Sequence, residues 1–443
     1  MKDDAGSGKQ PSLSETARAR LLDRFRGQRT AQPVSTPRLN TETKVKEAFR
    51  HFELHPAYER LLISQTAAHH LRIDNPFFRI HDAAAGATTV IAGREYINFS
   101  SYDYLGLNNH PRVNQAAYEA INRYGTSSSA SRLVAGERPI QRELEQELAA
   151  FYGAEACIAF VSGHATNVST IASLFGPKDL VLHDALAHNS VIEGMKLSGA
   201  HRRSFPHNDW EALDDLLASI RGGFERALIV IEGHYSMDGD TPELARFVEI
   251  KKRHGAFLMV DEAHSLGVLG PTGHGIAEHC GVPSGEIDIW MGTLSKSLAS
   301  CGGYIAGSRA LVELLKYTAP GFVYSVGLSP PLAAAALEAL HILKEEPMRV
   351  RRLREMGLLF LNHATKNGIK TGLSEGFSIT AVSIGSSLKA TRISNQMFEA
   401  GINVQPIIHP AVEEKAARLR FFISALHTES QVHRAIDQLT RLI

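Results

Sequence analysis

Two stretches of the chain end in residues that could do chemistry together. Asp261 follows the apolar run Phe257-Leu-Met-Val, and Lys296 follows Gly292-Thr-Leu-Ser, just after the apolar residues 287–291. Short apolar runs of this kind are typical of buried parallel strands. A lysine and a carboxylate at neighbouring strand ends suit pyridoxal phosphate (PLP), which needs a lysine for its Schiff base and an acid against its pyridine nitrogen. An ordinary Asp–Lys ion pair has the same spacing, so other motifs must decide between the two.

The composition excludes several classes of protein. The 443 residues are enough for about three domain-sized units. Hydrophobic residues make up 44% and charged residues 21% of the chain, which is typical of a soluble globular protein. Lys+Arg and Asp+Glu both total 47, so no bulk charge attracts nucleic acid or an anionic membrane.

The sequence also carries no signal for a membrane or for export. No apolar run is long enough to span a bilayer, and residues 1–8 lack the apolar core of a signal peptide. The three cysteines show no metal-ligand spacing. We therefore expect a cytoplasmic enzyme with reduced thiols, no metal site and no membrane span.

Strands and helices alternate through the middle of the chain. This alternation predicts a mainly parallel sheet wrapped by helices. Ligands bind such sheets at the carboxyl ends of the strands, and the notable polar residues follow the predicted strands. The predicted strands are residues 156–161, 180–183, 227–232, 256–261, 287–291 and 303–306.

The two ends of the chain differ from this central part. Residues 1–45 form a polar extension, in which residues 14–26 could be an amphipathic helix that docks on a partner; a flexible tail is the alternative. Residues 46–110 combine a helical pattern with small strands at 77–81 and 88–99, joined as an antiparallel meander. After the large domain, residues 111–330, we expect a smaller α+β domain over residues 331–443.

Eight motifs occur in an order that resembles one known family, the α-oxoamine synthases. Its branches include 8-amino-7-oxononanoate synthase, glycine C-acetyltransferase, 5-aminolevulinate synthase and serine palmitoyltransferase. They are PLP enzymes of the aspartate-aminotransferase fold (fold type I), and the resemblance covers roughly residues 75–443. The motifs are Ser101-Tyr-Asp-Tyr-Leu-Gly106, Val161-Ser-Gly-His-Ala-Thr-Asn167, Asp184-Ala-Leu-Ala-His-Asn-Ser190, Phe205-Pro-His-Asn-Asp209, Glu232-Gly-His-Tyr-Ser-Met-Asp-Gly-Asp240, Val260-Asp-Glu-Ala-His-Ser-Leu-Gly267, Thr293-Leu-Ser-Lys296 and Arg418-Leu-Arg420.

The resemblance implies a role for each residue of the cofactor site. Lys296 is the Schiff-base lysine and Asp261 pairs with the pyridine nitrogen. His264 reaches the phenolate oxygen of the cofactor, and His188 stacks on the ring. The remaining expected cofactor contacts are Ser162, Gly163 and the backbone of His164 around the phosphate, the hydroxyl of Thr293, and Ser236 and Glu232 near the phenolate.

The amino-acid substrate is expected to bind through its carboxylate. Arg420 matches the family's carboxylate-binding arginine, since a guanidinium holds a carboxylate through two hydrogen bonds. Arg418 is expected on the other face of the same strand. Tyr102 and Ser131 are further expected substrate contacts. A tyrosine at position 102 is similar to serine palmitoyltransferase, whereas asparagine is usual in the biotin and haem branches.

The reaction that the resemblance implies is a decarboxylative condensation. A small amino acid (alanine, serine or glycine) would react with acyl-CoA or an acyl carrier protein to give an α-amino ketone and CO2. Two alternatives stay open: another fold-type-I reaction such as transamination, and a role as the partner subunit of a heterodimeric synthase. A homodimer is expected, with residues 125–136 and 324–330 as crossing points and Ser325 or Ser329 reaching the phosphate of the partner chain.

Overall fold

The structure is a computed structural model that describes residues 45–443. The helix predicted at residues 14–26 therefore lies outside the described residues. The chain divides into one unit that ends at Ala67 and a second unit from Ala68 to Ile443. Before Ala67 the described chain forms two short 3-10 turns and the start of helix α1 (Pro56–His70), so the helical pattern predicted at the start of residues 46–110 becomes a regular helix only at Pro56.

A seven-stranded sheet positions the polar residues of the second unit. Its strand order is β3-β9-β8-β7-β6-β4-β5, and every neighbouring pair is parallel except the two pairs that include β9. The fold is thus the mainly parallel, helix-wrapped sheet that the sequence predicts. The strands are β3 (Ala156–Phe160), β4 (Leu180–Asp184), β5 (His201–Phe205), β6 (Ala227–Glu232), β7 (Phe257–Asp261), β8 (Ile289–Thr293) and β9 (Gly303–Gly307).

The central strands form because both of their faces are covered. All six residues of β6 are buried, as expected for a parallel strand between two layers of helices. Strand β5 was not predicted: it is an edge strand whose first four residues are exposed and polar, so it has no apolar run to reveal it. Strand β8 begins two residues later than predicted, at Ile289.

Helices cover the sheet and have clear start signals. Pro111 and Pro139 occupy the first turns of α2 and α3, where a missing N–H costs nothing. Ser162 and Asp209 cap α4 and α6 through their side chains. The helices are α2 (Pro111–Tyr124), α3 (Pro139–Tyr152), α4 (Gly163–Leu174), α5 (Asn189–Ser198), α6 (Trp210–Ile220), α7 (Leu244–His254), α8 (Ile276–Cys280), α9 (Arg309–Thr318) and α10 (Pro320–Val323).

A small sheet precedes the large one in the chain. Strands β1 (Thr88–Ile91) and β2 (Arg94–Asn98) form the predicted hairpin, with Gly93 at positive φ in its turn. The prediction of a further meander strand at residues 77–81 was wrong. Residues 77–81 are irregular, and Phe78 has a φ of 59°, which a β-strand does not allow. The hairpin instead pairs β2 in parallel with β11 (Ile402–Asn403).

The last hundred residues form helices around a second small sheet. Strand β13 (Arg418–Phe422) is central, with β10 (Ile379–Ser383) and β12 (Gln405–Ile407) antiparallel on either side. This agrees with the predicted α+β content, while the domain boundaries at residues 45, 110 and 330 stay a prediction. The helices are α11 (Pro330–Glu345), α12 (Met348–Lys366), α13 (Ser387–Glu399) and α14 (Glu429–Thr440).

Candidate active site

A cavity of about 330 Å³ lies at the carboxyl ends of the central strands. Twelve of the thirteen predicted site residues line it, although they are spread over more than three hundred positions of the sequence. The structure thus brings the predicted cofactor and substrate residues together, while their individual roles stay predictions. The twelve are Tyr102, Ser162, Gly163, His164, His188, Glu232, Ser236, Asp261, His264, Thr293, Lys296 and Arg420.

Lys296 follows the end of β8 and points into this cavity. Burial lowers the pKa of its amine to about 8, although the negative charges of Asp261 and Glu232 act in the opposite direction. Its Nζ also lies 5.6 Å from the centre of the Tyr102 ring. A substantial fraction of the amine is therefore neutral near pH 8, as a nucleophile or a general base requires.

Asp261 ends β7 and is held by two hydrogen bonds. The Asn167 side-chain amide donates to its Oδ2 over 2.8 Å, and the backbone N–H of Ala263 donates to its Oδ1 over 3.0 Å. Both donors hold the carboxylate in a fixed orientation. Asp261 is therefore suited to holding a protonated ring nitrogen.

Glu232 stands beside Asp261, because β6 and β7 pair these two residues directly. Burial and then the charge of Asp261 raise the pKa of Glu232. Its Oε2 accepts from the backbone N–H of Ser236, whereas Oε1 is buried without a hydrogen-bond partner among residues 45–443. A protonated Glu232 has an O–H to donate, so a ligand with an acceptor oxygen would satisfy it.

The two predicted site histidines are held in different ways. His188 caps α5, and its Nδ1 lies 2.7 Å from the hydroxyl of Ser190. His264 has its Nδ1 2.7 Å from the hydroxyl of the buried Tyr104. Burial lowers the pKa of both imidazoles, and the charge of Lys296 adds to the effect at His264. Both rings are therefore neutral at pH 7 and can act as hydrogen-bonding groups rather than cations.

The start of α4 forms a narrow cradle opposite Thr293. A Cβ added at Gly163 would lie 2.8 Å from the Thr293 hydroxyl oxygen, so only glycine fits there. The hydroxyl of Thr293 is fixed by the carbonyl of Gly302 at 2.9 Å and by Ser295 at 2.7 Å. Free N–H groups at the first turn of a helix, together with hydroxyls, suit a phosphate.

Arg420 comes from β13 and reaches the cavity from the C-terminal part of the chain. Its guanidinium donates to the carbonyl of Ser236 over 2.9 Å, and in the part of the chain that the structure describes its buried Nε has no hydrogen-bond partner. Arg418 donates to the carbonyl of Met237 and pairs with Asp238 at 2.6 Å. The prediction that Arg418 lies on the other face was wrong, since residues two apart on a strand share a face. The ion pair with Asp238 distinguishes the two arginines instead.

Ser131 is the one predicted site residue that does not line the cavity. Its hydroxyl donates to the carbonyl of Val323 over 2.8 Å. The same two segments are joined again between Gly327 and Ala130, and between Ser329 and Thr126. Residues 125–136 therefore rest against residues 323–329 of their own chain, and a substrate contact of Ser131 stays a prediction.

Three functional positions escaped the sequence reasoning. Asn167 orients Asp261, Ser190 contacts both Asn167 and the ring of His188, and Tyr104 holds His264. All three stand inside the family motifs, and Ser190 lies only two residues from His188, so the sequence carried a signal for each position. Asn167 and Tyr104 could not be paired with Asp261 and His264 without the fold.

These observations test whether PLP fits the site. A buried lysine with a lowered pKa, an oriented carboxylate, a donor-rich cradle at Gly163 and an unsatisfied Glu232 match its aldehyde, ring nitrogen, phosphate and phenolate. Within residues 45–443, no cluster of three or more His, Cys, Asp or Glu side chains could hold a metal ion. The fold and the site together define a fold-type-I PLP enzyme.

Comparison with known proteins identifies the family. The sequence model of the family Aminotransferase class I and II matches residues 94–439. The chain is 41% identical to an 8-amino-7-oxononanoate synthase of Symbiobacterium thermophilum over 354 residues, which covers 80% of this chain and 90% of that one. Over 359 residues it is 42% identical to the 8-amino-7-oxononanoate synthase of Geobacter sulfurreducens, with 81% and 91% covered.

Solved structures agree with this result. A serine palmitoyltransferase of Sphingomonas wittichii superposes with a TM-score of 0.84 at 28% identity, covering 87% of this chain and 97% of that one. A serine palmitoyltransferase structure that contains PLP gives a TM-score of 0.83. The chain belongs to the aminotransferase class I and II family and, within it, to the α-oxoamine synthases. It is a PLP-dependent acyltransferase, of the class that condenses a small amino acid with an acyl thioester and releases CO2.

Proposed function

We propose that the amino-acid substrate of this enzyme is alanine. The name of the curated relatives describes a product with an amine at C8, a methyl group at C9 and a ketone at C7. Acylation of alanine at Cα, followed by loss of its carboxylate, leaves this amine and methyl group beside a ketone. The observation that carries the proposal is the meeting of Lys296, Asp261 and Arg420 at one cavity, because these groups activate an α-amino acid and hold its carboxylate.

The residues of the cavity divide the chemistry among them. PLP, when bound, supplies an electron sink for negative charge at Cα. Lys296 removes the Cα proton, since its lowered pKa leaves the amine free to accept one. Asp261, oriented by Asn167, keeps the ring nitrogen protonated. His188, as a neutral ring at the N-terminus of α5, covers one face of the site and excludes water from it.

The condensation forms a bond from Cα to the acyl carbon, and the decarboxylation that follows breaks the bond from Cα to the carboxylate. Cα attacks the thioester carbonyl, so a C–C bond forms and the C–S bond breaks. The sulfur leaves as the free thiol. The bond from Cα to the carboxylate then breaks, CO2 leaves, and Cα keeps the electron pair and takes up a proton, which gives the α-amino ketone. Arg420 holds that carboxylate until the bond to Cα breaks, and its Nε, which has no hydrogen-bond partner among residues 45–443, provides the second donor of a bidentate contact.

Serine is the second candidate substrate. The TM-score of 0.84 to serine palmitoyltransferase and the tyrosine at position 102 favour it. The two candidates are separated by offering the holoenzyme alanine, serine and glycine, each with an acyl-CoA and with an acyl carrier protein, and by analysing products with mass spectrometry. We expect the α-amino ketone derived from alanine together with CO2. Product from serine or glycine alone would contradict the proposal.

The two other activities considered above give distinct results in the same assay. Transamination would convert the amino acid to a keto acid without any acyl thioester. A non-catalytic partner subunit would not need the lysine, whereas this chain retains Lys296 in a site that lowers its pKa. We therefore expect turnover by this chain alone, with strict dependence on the thioester.

We propose further that the active enzyme is a cytoplasmic homodimer. Large apolar side chains are exposed on the two segments that rest against each other: Leu133, Val134, Tyr324 and Val326. Exposed apolar side chains on two segments that are hydrogen-bonded to each other support contact with a second copy. All three cysteines are free, which fits a reducing compartment. Among the described residues, no helix is long and apolar enough to cross a bilayer.

A further inference from the structure

A buried cluster outside the cavity connects the large sheet with the arginine that faces the substrate. His207 follows β5, and its two ring nitrogens lie between two carboxylates. Nδ1 is 2.9 Å from Asp184 Oδ1, and Nε2 is 2.9 Å from Asp240 Oδ2. Asp184 is fully buried at the end of β4, so one side of the cluster is fixed to the sheet.

The imidazole holds both carboxylates at once only when both of its nitrogens carry a proton. Burial alone would lower the pKa of His207, but the hydrogen bonds and charges of Asp184 and Asp240 raise it to about 10. The ring is therefore a cation at neutral pH. Asn208 reinforces the bridge, since its backbone N–H donates to Asp184 and its side chain donates to Asp240, each over 2.8 Å.

The other side of the cluster is the turn formed by residues 233–240. The backbone of Asp240 closes this turn, because its carbonyl accepts from the N–H of Tyr235 over 3.0 Å. Gly239 within the turn has a φ of 76° and lies against the backbone of Ile379. The turn has little freedom once the carboxylate of Asp240 is held.

The turn presents a carbonyl to Arg420. The carbonyl of Ser236 accepts from the guanidinium over 2.9 Å, and the Met237 sulfur lies 3.4 Å from the same nitrogen. No other hydrogen bond of the Arg420 guanidinium is formed within the described residues. The centre of the Phe422 ring lies 4.7 Å from the guanidinium carbon, and the hydrogen bond to the carbonyl of Ser236 fixes the direction of the guanidinium against that ring.

We infer that His207 is a positioning residue: by bridging Asp184 and Asp240 it fixes the turn of residues 233–240, and through Ser236 it sets the direction of Arg420 toward the substrate carboxylate. The inference rests on the proposed role of Arg420. It adds a residue that does not line the cavity, in the motif Phe205-Pro-His-Asn-Asp209, to the groups that determine amino-acid affinity.

A double-mutant cycle in the holoenzyme tests this chain of contacts. L-alanine is titrated into wild type, His207→Gln, Arg420→Lys and the double variant, and the absorption of the bound cofactor gives the Kd. We expect His207→Gln to raise the Kd about tenfold, because loss of the bridge frees the turn that directs Arg420 and residues in one hydrogen-bond network are strongly coupled. In the Arg420→Lys background the same change should raise the Kd less than about twofold. In steady-state assays His207→Gln should raise KM for alanine and change kcat little.

A matched control lies two residues away in the same loop. Asp209 caps α6, since its Oδ1 accepts a hydrogen bond from the backbone N–H of Ala212 over 2.8 Å. Asp209→Ala removes this cap and leaves the His207 bridge and the turn of residues 233–240 unchanged. It should lower stability and leave the Kd for alanine unchanged. An equal rise in Kd for Asp209→Ala would overturn the inference, because any loosening of the loop would then suffice.

The outcomes separate this inference from the proposed function. An unchanged Kd in Arg420→Lys overturns the carboxylate role itself. Two outcomes overturn the inference alone. In the first, the Kd for alanine rises in Arg420→Lys but is unchanged in His207→Gln. In the second, His207→Gln raises the Kd as much in the Arg420→Lys background as in wild type. If His207→Gln does not give folded protein, Asp240→Asn weakens the same bridge from the other end with little change of shape. An unchanged Kd in Asp240→Asn then overturns the inference.

Discussion

Lys296 illustrates how burial prepares a residue for chemistry. Its amine sits among Asp261, Glu232 and the ring of Tyr102, and burial outweighs the two carboxylates, so the pKa falls to about 8. A surface lysine, with a pKa near 10.4, would be almost fully protonated at neutral pH. The same burial would make an isolated carboxylate costly, which is why Asp261 has two fixed donors.

The first prediction concerns the cofactor anchor. Lys296→Ala should lower turnover by at least about a hundredfold, because the variant lacks the general base as well as the anchoring amine. Borohydride reduction followed by mass spectrometry of the intact chain should show covalently bound PLP in wild type and none in the variant. Labelled Lys296→Ala protein would mean that another lysine is the anchor.

The second prediction compares the two arginines of β13. Arg420→Lys should weaken alanine binding about ten- to a hundredfold, because the lysine ammonium cannot reproduce the two parallel hydrogen bonds of the planar guanidinium and charge-assisted hydrogen bonds are worth about 1.5–3 kcal/mol. Arg418→Lys is the matched control: it keeps the charge beside Asp238 and loses only hydrogen bonds to backbone carbonyls such as that of Met237, so it should weaken alanine binding much less than Arg420→Lys. Titrations that follow the cofactor spectrum measure both, and PLP should stay bound in each variant. A larger effect at Arg418 would show that the carboxylate binds there.

The site could be predicted from sequence where its residues lie in contiguous motifs. Asp261, Lys296 and His188 were identified because each stands in a motif at the end of a strand. Asn167 and Tyr104 were not identified, since their partners lie 94 and 160 positions away and only the fold brings them together. A role for Ser131 rested on resemblance alone, and its hydroxyl is directed to Val323 within the same chain.

At the scale of elements, apolar patterning identified what is buried on both faces. Strand β6 has six buried residues in succession and its predicted bounds agree with the structure. Strand β5 was missed because an edge strand shows no such run. Residues 77–81 show the opposite error: an apolar run resembles a strand, but this stretch has no ladder partner and bends at Phe78. The apolar pattern of a segment therefore indicates whether it is buried. Whether the segment pairs as a strand depends on residues that are distant in sequence.

The third prediction concerns the bridge between β4, β5 and the turn of residues 233–240. The pKa of His207 is about 10 in the folded protein and 6.5 as the ordinary value. Between these values the native state binds a proton that the unfolded state lacks. The stabilisation is therefore complete below pH 6.5 and is lost as the pH rises toward 10, by up to about 1.4 kcal/mol per pH unit.

Denaturant unfolding at several pH values would measure this contribution. The difference in free energy of unfolding between wild type and His207→Gln should shrink as the pH rises from 6.5 to 10. Asp209→Ala, which removes only the α6 cap, should lower the free energy of unfolding by about 0.5–2 kcal/mol at every pH. A His207→Gln difference that is constant with pH would mean that the ring is not a cation in the folded protein.

At the scale of the whole molecule, two segments indicate an interface with a second chain. Apolar side chains are exposed on residues 125–136 and 323–329. Tyr324 is 87% exposed, and Leu133, Val134 and Val326 are exposed on the same two segments. Hydrogen bonds join the two segments to each other, so the surface has a fixed shape before a second chain binds. A preformed apolar surface costs less ordering on association than a loose one.

The last prediction tests this surface. Tyr324→Asp places a charge in the proposed dimer contact, where it would have to be desolvated without a partner, so the variant should be largely monomeric at micromolar concentration. Leu197→Asp on α5 is the matched control, since Leu197 is also large, apolar and 69% exposed, but lies outside the two segments. Light scattering should give a dimer mass for wild type and Leu197→Asp. Because the active sites are expected at the crossing points of two chains, Tyr324→Asp should also lose turnover. A fully active monomer would contradict both the dimer and the shared site.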